Sequence, residues 1–295
     1  MAKARTLDKR RGSIRNIRKI TRTMELIANA RFKKAMDRAT SASAYTSRIT
    51  RLVADLAQSG LDVQHPLLED RPEPKKAVML VLTANRGMCG GFNSSVLRLA
   101  FEHYDRLTSS VPEVVTEVSG RRGIAALKYR KINPDQAYTH FEDRPAFQDV
   151  EVLANRYLDQ YITGKIDRVD VIYTRFQSIA KQEAIVETLL PLSSLEGLTS
   201  EEDVVGHGTS MYEFLPSAES ILREVVPTSF RVKLFKCFLD AAVSEHIARM
   251  VAMKAATENA DEIIRQLSMT YNRARQSQIT GEIMEIIGGV EALQS

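Results

Sequence analysis

Cysteine is scarce in this sequence. The 295 residues include only two cysteines, Cys89 and Cys237, which lie far apart in the chain. Neither belongs to a pair with the spacing of a zinc site or a redox dithiol, so we expect reduced thiols and a cytoplasmic-type compartment. The five histidines are scattered rather than clustered, and they give no indication of a metal site.

Long apolar runs and catalytic motifs are also missing. No stretch approaches the ~20 apolar residues of a membrane-spanning helix, so any membrane role must come through a partner. The P-loop pattern and the G-x-S-x-G turn are absent. The glycine-rich turn at residues 86–91 stands where phosphate-binding loops occur, but it lacks their G-x-G-x-x-G spacing. We interpret it as a structural turn and predict no catalytic, cofactor or metal site; a nucleotide-binding enzyme is the rival interpretation.

Helix-breaking residues are missing from residues 228–280. No proline follows Pro227, and no glycine occurs between it and Gly281. Apolar or small residues recur there in alternating steps of three and four, which is the pattern of a coiled-coil helix with a helical partner. They are Met250, Met253, Thr257, Ala260, Ile264, Leu267, Tyr271 and Ala274. The pattern predicts one helix of roughly 70 residues, or about 105 Å.

A second long helix is predicted at the N-terminus, from about Leu7 to Ser59, with Ser59 and Gly60 as its C-terminal cap. Its apolar seam includes many alanines, which allow a close helix approach. The seam runs through Ile14, Ile17, Thr21, Met24, Ala28, Phe32, Ala35, Ala39, Ala42, Tyr45, Ile49, Leu52 and Leu56.

Between the two helices, short apolar runs alternate with helical segments, as in an α/β layer. We predict strands at 77–83, 113–118, 167–176, 183–190 and 211–215, and helices from about 93, 120 and 147. The predicted fold is α/β plus a long antiparallel coiled coil, in which the terminal helices form a shaft flanking a small Rossmann-like α/β domain. The expected domains are a helix at 1–60, a linker at 61–75, the α/β foot domain at 76–215 and a helix at 216–295.

Because both helices leave the same domain, we expect them to pair antiparallel, and the longer one to extend beyond the shorter. Its far end is apolar on several sides, at Ile279, Ile283, Ile286 and Ile287 among others. An exposed apolar end of this kind aggregates unless a partner encloses it, so the sequence predicts a sleeve made by other subunits.

Charge is polarised along the chain. Residues 1–40 contain 13 Lys and Arg against three acidic residues, a net charge of +10 within a chain whose total is +4. Three interpretations stay open: a solvated helix face, a nucleic-acid-binding coiled coil, or a helix that faces an acidic protein partner. The Arg-rich start could also indicate a transit peptide, but its seam continues into the following helix, so we take it as mature protein.

The C-terminal run Ile279-Thr280-x-Glu282-Ile283-x-Glu285-Ile286-x-x-Gly289 resembles the signature of the γ subunits of F-type ATP synthases. Residues 249–259, the N-terminal run 17–27 and the turn 85–91 resemble further parts of that family, in the same order. The resemblance covers essentially the whole chain. One departure is Gly288-Gly289-Val290, where the family more often has a small residue, Gly and then Ala.

The resemblance implies a central rotor shaft inside a ring of α and β subunits, with no catalytic site of its own. It implies that proton-driven rotation of the membrane c-ring cycles the catalytic β subunits through their affinity states, making ATP from ADP and phosphate. The implied partners are the α and β subunits, the ε subunit and the c-ring. The implied location is the cytoplasmic face of a bacterial plasma membrane, reached only through these partners.

The resemblance also assigns roles to residues. Near the N-terminus, Arg18, Lys19, Arg22 and Met24 would face an acidic lever loop of β. Near the C-terminus, Arg275, Gln276, Thr280 and Glu282 would form a polar catch to β, beside the apolar bearing made by Ile279, Ile283, Ile286 and Ile287. Tyr212 would touch the rotor ring and the ε subunit.

Overall fold

The computed structural model describes residues 2–58, 66–69, 71, 73–141, 144–192 and 218–294. It confirms the predicted order of a long helix, an α/β segment and a second long helix. The elements are α1 (Ala2–Gln58), β1 (Lys76–Leu82), α2 (Phe92–Ser110), β2 (Glu113–Ser119), α3 (Arg121–Tyr129), β3 (Gln136–Tyr138), α4 (Phe147–Ile162), β4 (Arg168–Phe176), β5 (Gln182–Leu190) and α5 (Ala218–Gln294).

The chain divides into two compact units. The first unit comprises Met1–Ala30 and Arg249–Ser295, and the second comprises Arg31–Ala248. The second unit therefore holds the sheet together with the inner parts of both long helices.

Five strands form one mixed sheet in the order β3-β2-β1-β4-β5. β1 pairs in parallel with β2 and with β4, and β2 pairs in parallel with β3. β5 returns antiparallel beside β4. β1 is buried along almost its whole length. This explains why its sequence is a continuous apolar run instead of an alternating one.

Helices cover both faces of the sheet. On one face, Val78 and Leu80 of β1 pack in a core with residues of α4 and of the inner part of α5, among them Tyr157 and Phe230. On the other face, Met79 of β1 belongs to a second core that includes residues of α2 and α3. The alternation of side chains along β1 thus supplies two cores at once.

Gly120 joins β2 to α3 in a conformation that only glycine adopts readily. Its φ is +102°, and a Cβ atom placed there would lie 2.1 Å from the carbonyl oxygen of Thr83. The side-chain hydroxyl of Thr83 also accepts a hydrogen bond from the backbone N–H of Gly123, at 2.9 Å. The first turn of α3 is therefore satisfied by the end of β1.

The predicted linker at 61–75 contributes to the core of the second unit. Leu67 is fully buried. The guanidinium of Arg71 stacks over the ring of Tyr161, 4.0 Å from its centroid, and donates to the carboxylate of Asp167 at 2.7 Å. Prolines in this segment prevented a helix assignment, but they carry no signal about packing.

The two long helices also pack together within the second unit. Ala35 and Ala39 of α1 lie in a cluster with Leu239, Val243 and Ile247 of α5. These small residues of the predicted seam are buried, as the close-approach interpretation requires.

Some local predictions differ from the structure. The three-residue strand β3 was not predicted, because a run this short has no readable periodicity. α2 begins at Phe92, one residue before the predicted start, with Gly91 as its N-cap; the Asn93 side chain accepts a hydrogen bond from the backbone N–H of Ala84 at 2.9 Å. The predicted cap at Ser59 and Gly60 and the predicted strand at 211–215 lie outside the described residues.

Candidate functional site

In the first unit, the outer parts of α1 and α5 form an antiparallel pair. The hydroxyl oxygens of Thr21 and Thr257 lie 2.8 Å apart in a buried hydrogen bond. Nearer the N-terminus, Arg18 forms an ion pair with Asp261. The guanidinium of Arg11 lies over the ring of Tyr271, 4.7 Å from its centroid. Residues nearer the start of α1 thus contact residues nearer the end of α5, which confirms the predicted antiparallel coiled coil.

One seam prediction on α1 is wrong. Ile17 was placed in the seam, but 49% of its surface is exposed. It belongs instead to a second apolar stripe at steps of three, four and three, made by Ile17, Ile20, Met24 and Ile27. Ile20 and Ile27 are 59% and 49% exposed, and Met24 is half-buried. The sequence did not reveal this stripe, because apolar residues on both sides of a helix seam widen the apolar face of the helix without showing which side a neighbour covers.

The cations that were predicted to face a partner lie beside this stripe. Lys19 is exposed. Arg22 is exposed as well, and it donates to Glu25 at 2.7 Å within the same helix. Arg18 uses its guanidinium on Asp261, so part of its charge is neutralised inside the pair. Surface pairs of this kind contribute about 0–1 kcal/mol, so Arg18 and Arg22 can exchange these acids for a partner's.

The end of α5 has the apolar exposure that the sequence predicted. Every residue from 279 to 290 is exposed. Ile279, Ile283, Ile286 and Ile287 are 45%, 50%, 67% and 53% exposed. We call residues 279–290 the apolar tip. Helix residues that are apolar on several sides and exposed to water are typical of a surface that another protein covers.

The predicted polar contacts lie at the start of this tip. Arg275, Gln276 and Thr280 are exposed. Glu282 is exposed as well, and it accepts a hydrogen bond from Gln278 at 2.9 Å within the helix. The structure therefore leaves these four side chains available on the surface of the first unit. Tyr212, the predicted foot contact, lies outside the described residues.

The carboxyl ends of β1 and β4 mark the place where open α/β sheets bind nucleotides, because the chain order reverses there. Here Ala84, Cys89 and Phe92 pack together against Ala248 of α5. The crevice position is thus occupied by the protein's own helix, and Arg122 lies across Gly87 in the turn. This packing favours the structural interpretation of the glycine-rich turn over a nucleotide site.

Glu117 on β2 is a buried carboxylate, but its hydrogen bonds are structural. It accepts from the hydroxyls of Tyr157 and Tyr138 at 2.7 Å and 2.9 Å, and from the guanidinium of Arg156 at 2.6 Å. Burial, together with the charge of Glu117, raises the pKa of the Tyr157 hydroxyl well above its ordinary value. All three donors hold their protons at neutral pH, so this network is suited to rigidity rather than to proton transfer.

Asp170 on β4 is satisfied in a similar way. Burial alone would raise its pKa, but hydrogen bonds from His103 and Thr188 and the charge of Arg168 lower it. The His103 Nε2 atom lies 2.8 Å from Asp170 Oδ2. The carboxylate stays ionised and joins α2, β4 and β5.

The described residues include no helix long and apolar enough to cross a membrane. Within that same part of the chain, no three or more His, Cys, Asp or Glu side chains come together as metal ligands would. The surfaces that stand out are therefore the apolar stripe with its cations, the polar residues 275–282 and the apolar tip.

Comparison with known families gives a match over nearly the whole chain. The family model described as ATP synthase matches residues 3–293. A protein of Rhodopirellula baltica named ATP synthase gamma chain is 65% identical over all of this chain and all of its own length. One of the same name from Saccharopolyspora erythraea is 40% identical over 100% of this chain and 99% of its own. None of these relatives carries a name that supports nucleic-acid binding.

Solved structures share the fold. A chain in the cryo-EM structure of the Euglena gracilis mitochondrial ATP synthase OSCP/F1/c-ring assembly superposes with a TM-score of 0.66 at 21% identity, covering 99% of this chain and 95% of its own. A chain of the rotor of the same synthase superposes with a TM-score of 0.61 at 19% identity, covering 94% of this chain and 99% of its own.

Proposed function

This chain belongs to the ATP synthase γ-chain family, and from that premise we propose how its exposed surfaces serve the synthase. As a γ chain it is a non-catalytic subunit of the central stalk. We propose that the helix pair of the first unit turns inside a ring of α and β subunits. In this proposal, rotation driven by protons through a membrane c-ring cycles the β subunits through states that bind ADP and phosphate, form ATP and release it.

The exposed apolar tip supports this proposal most directly. A long helix that ends in four half-exposed isoleucines tends to aggregate unless a complementary protein surface encloses it. An apolar contact is also suited to a rotating bearing. The hydrophobic effect is non-directional, so turning the tip breaks no specific hydrogen bond.

The charged and polar residues fit the transmission of torque. Arg18, Lys19, Arg22 and Met24 form a basic surface with apolar flanks, which is complementary to an acidic helical loop such as the one expected on β. Arg275, Gln276, Thr280 and Glu282 are exposed beside the tip, where directional hydrogen bonds to β would hold particular rotational positions. Because these surfaces are asymmetric around the helix pair, each of three identical β subunits meets a different face.

We further propose that the chain is peripheral, reaching a bacterial plasma membrane from its cytoplasmic side through the c-ring and the ε subunit. The bacterial sources of the relatives described above support the bacterial membrane. The predicted contact at Tyr212 belongs to this part of the proposal.

Affinity purification from membranes tests the assignment. A tagged chain, expressed at its native level, should co-purify with a nucleotide-hydrolysing hexamer and with a membrane ring. The same preparation from cells carrying the tag on an unrelated coiled-coil protein is the control. Recovery of the tagged chain alone, or without ATP hydrolysis above that control, would contradict the proposal.

A further inference from the structure

The end of α3 carries an exposed tyrosine between cations. Lys128 and Tyr129 are the last two residues of the helix, and Arg130 and Lys131 follow it directly. All four residues are exposed, and 91% of the Tyr129 surface faces water. We call these four residues the α3 patch. A tyrosine this exposed contributes little to a core, so its aromatic ring is available to a partner.

Lys131 occupies a backbone position that is typical of glycine. Its φ is +61°, and the next backbone N–H, that of Ile132, donates to the carbonyl oxygen of Leu127 at 3.0 Å, which closes the helix as in a Schellman motif. A side chain in this left-handed conformation lowers stability, and glycine would end the helix without that loss. The helix dipole favours Lys128 in the last turn, but it does not require a lysine in the left-handed position. The strain at Lys131 therefore indicates that its charge acts on something outside the folded chain.

The positive charge of the α3 patch is not neutralised by its described neighbours. Residues 73–141 are described without a gap, and no carboxylate of the described residues lies within ion-pair distance of the three cations. The guanidinium of Arg130 lies over the ring of Phe101, 4.5 Å from its centroid, and this contact leaves its charge intact. The nearby Asp135 turns its carboxylate to the backbone N–H of Thr116, at 2.8 Å. The adjacent helix α2 has two basic and two acidic residues, so it adds no net charge.

The α3 patch lies toward the amino end of the sheet, opposite the end where α5 leaves the second unit. α3 begins beside the carboxyl end of β1, where the backbone N–H of Arg122 donates to the carbonyl oxygen of Ala84 at 3.2 Å. The chain after α3 bonds the first half of β2, where the N–H of Asp135 donates to Thr116 at 2.7 Å. Ala248, the last residue of α5 in this unit, packs instead beside Ala84. In the proposed function the helices lead from the carboxyl end to the ring of α and β subunits, which leaves the amino end on the membrane side.

We propose that the α3 patch contacts the headgroups of anionic phospholipids. Cations are attracted to a negatively charged membrane surface, and tyrosine favours the interface, where its ring meets apolar chains and its hydroxyl stays in water. The position on the membrane side favours lipid over nucleic acid as the source of the negative charge. This inference rests on the proposed function for the orientation of the second unit. It adds a direct lipid contact to a chain that otherwise reaches the membrane only through partners.

Fluorescence from one introduced tryptophan tests the proposal, because the chain contains none. The full chain with Tyr129→Trp is titrated with vesicles of brominated phosphatidylcholine, with and without phosphatidylglycerol. Bromine quenches tryptophan only at close contact, so the signal reports the α3 patch even when the basic start of α1 also binds the vesicle. We expect saturable quenching by the vesicles that contain phosphatidylglycerol and little by phosphatidylcholine alone. The matched control is Ile179→Trp, at a 61% exposed position beyond the carboxyl end of β4, and it should stay unquenched.

Two further variants of the Tyr129→Trp chain test the cations. Lys128→Gln, Arg130→Gln and Lys131→Gln together should raise the lipid concentration at half-maximal quenching by at least about tenfold, since each cation near an anionic surface changes partitioning about fivefold. Lys131→Gly alone should also weaken quenching, yet this variant should unfold at a higher urea concentration, because glycine relieves the left-handed strain. A lysine with only a structural role would show no loss of quenching on this change.

The proposal is overturned by any of three results: no quenching at position 129, equal quenching at positions 129 and 179, or quenching that both cation variants leave unchanged. The outcome is separable from that of the proposed function. A chain that co-purifies with a nucleotide-hydrolysing hexamer but shows no quenching at position 129 would overturn this inference alone. Quenching at position 129 without co-purification would support the lipid contact and overturn the proposed function.

Discussion

Replacing isoleucines of the apolar tip with polar side chains should weaken binding to the rest of the synthase but leave the stability of the isolated chain nearly unchanged. The variant carries Ile283→Gln, Ile286→Gln and Ile287→Gln. These isoleucines are 50%, 67% and 53% exposed, so they contribute little to the folded chain by itself. Exposed substitutions of this type usually change the free energy of unfolding by less than about 0.5 kcal/mol each. We therefore expect the isolated variant to unfold at nearly the same urea concentration as the unmodified chain.

The loss on assembly should be much larger. Full burial of an isoleucine stabilises by about 1.5–3 kcal/mol relative to exposure, and roughly half of each surface remains to be covered. Each substitution then forfeits about 1 kcal/mol in an enclosing sleeve. Three together amount to about 3 kcal/mol, or roughly a hundredfold in the dissociation constant.

The measurement is the rate at which a fluorescently labelled chain leaves a reconstituted α and β hexamer. A control variant carries Val152→Gln, Ile162→Gln and Ile179→Gln, which are 73%, 51% and 61% exposed in the second unit. The control should dissociate like the unmodified chain, whereas the tip variant should leave about a hundred times faster. Equal dissociation rates for the two variants would refute the bearing argument, and a tip variant that unfolds early would show that these isoleucines are structural.

Three further outcomes follow from the described contacts, each measured by urea unfolding. Gly120→Ala should destabilise the chain by several kcal/mol, because its Cβ atom would lie 2.1 Å from a backbone oxygen. The control Gly164→Ala, at φ +69° with no atom within 4 Å, should lose only about 1–2 kcal/mol. Equal losses in the two variants would contradict the steric explanation. Burial raises the pKa of Asp240 to about 7 against the opposing charges of Lys236 and Arg175. The folded state then binds more protons than the unfolded state between about pH 4 and 7, so stability should fall as pH rises through that range, by up to about 1.4 kcal/mol per unit. Asp240→Asn should flatten that slope, and an unchanged slope would exclude this carboxyl as its source. Ala28→Leu, at a buried position of the seam, should lower the free energy of unfolding by about 1–3 kcal/mol. Ala30→Leu, at an exposed position, should leave that free energy nearly unchanged. Equal losses in the two variants would contradict a close helix approach at Ala28.

The long helices could be predicted because their signal is local and repeated. Alternating steps of three and four over dozens of residues leave few alternatives to a coiled coil. β1 could be predicted because its run is apolar throughout, and β4 because apolar residues alternate along it at Val169, Val171 and Tyr173. β3 and the packing of Leu67 could not, since three residues carry no period and a single leucine in a proline-rich segment does not show what it contacts.

The partner surfaces were only partly accessible to sequence reasoning. The apolar tip follows from two helices of unequal length, and its residues are exposed as expected. Ile17 and Met24 of the exposed stripe were placed in the seam, because a helix pattern shows which residues are apolar but not which of them a neighbour covers. The cleft that Arg38 of α1 and Arg144 line together was not anticipated, since Arg144 is more than a hundred residues from Arg38 in the chain.

Periodicity, the placement of helix breakers and the polarised charge were enough to predict the fold class, the paired helices and an enclosing partner, because each depends on neighbours within a few turns of one segment. The folded arrangement alone decided which flank of α1 stays open, that Ala248 packs against residues following β1, and that Arg38 and Arg144 line one cleft. Those features depend on contacts between residues remote in the chain, and side-chain pattern along one segment carries no record of them.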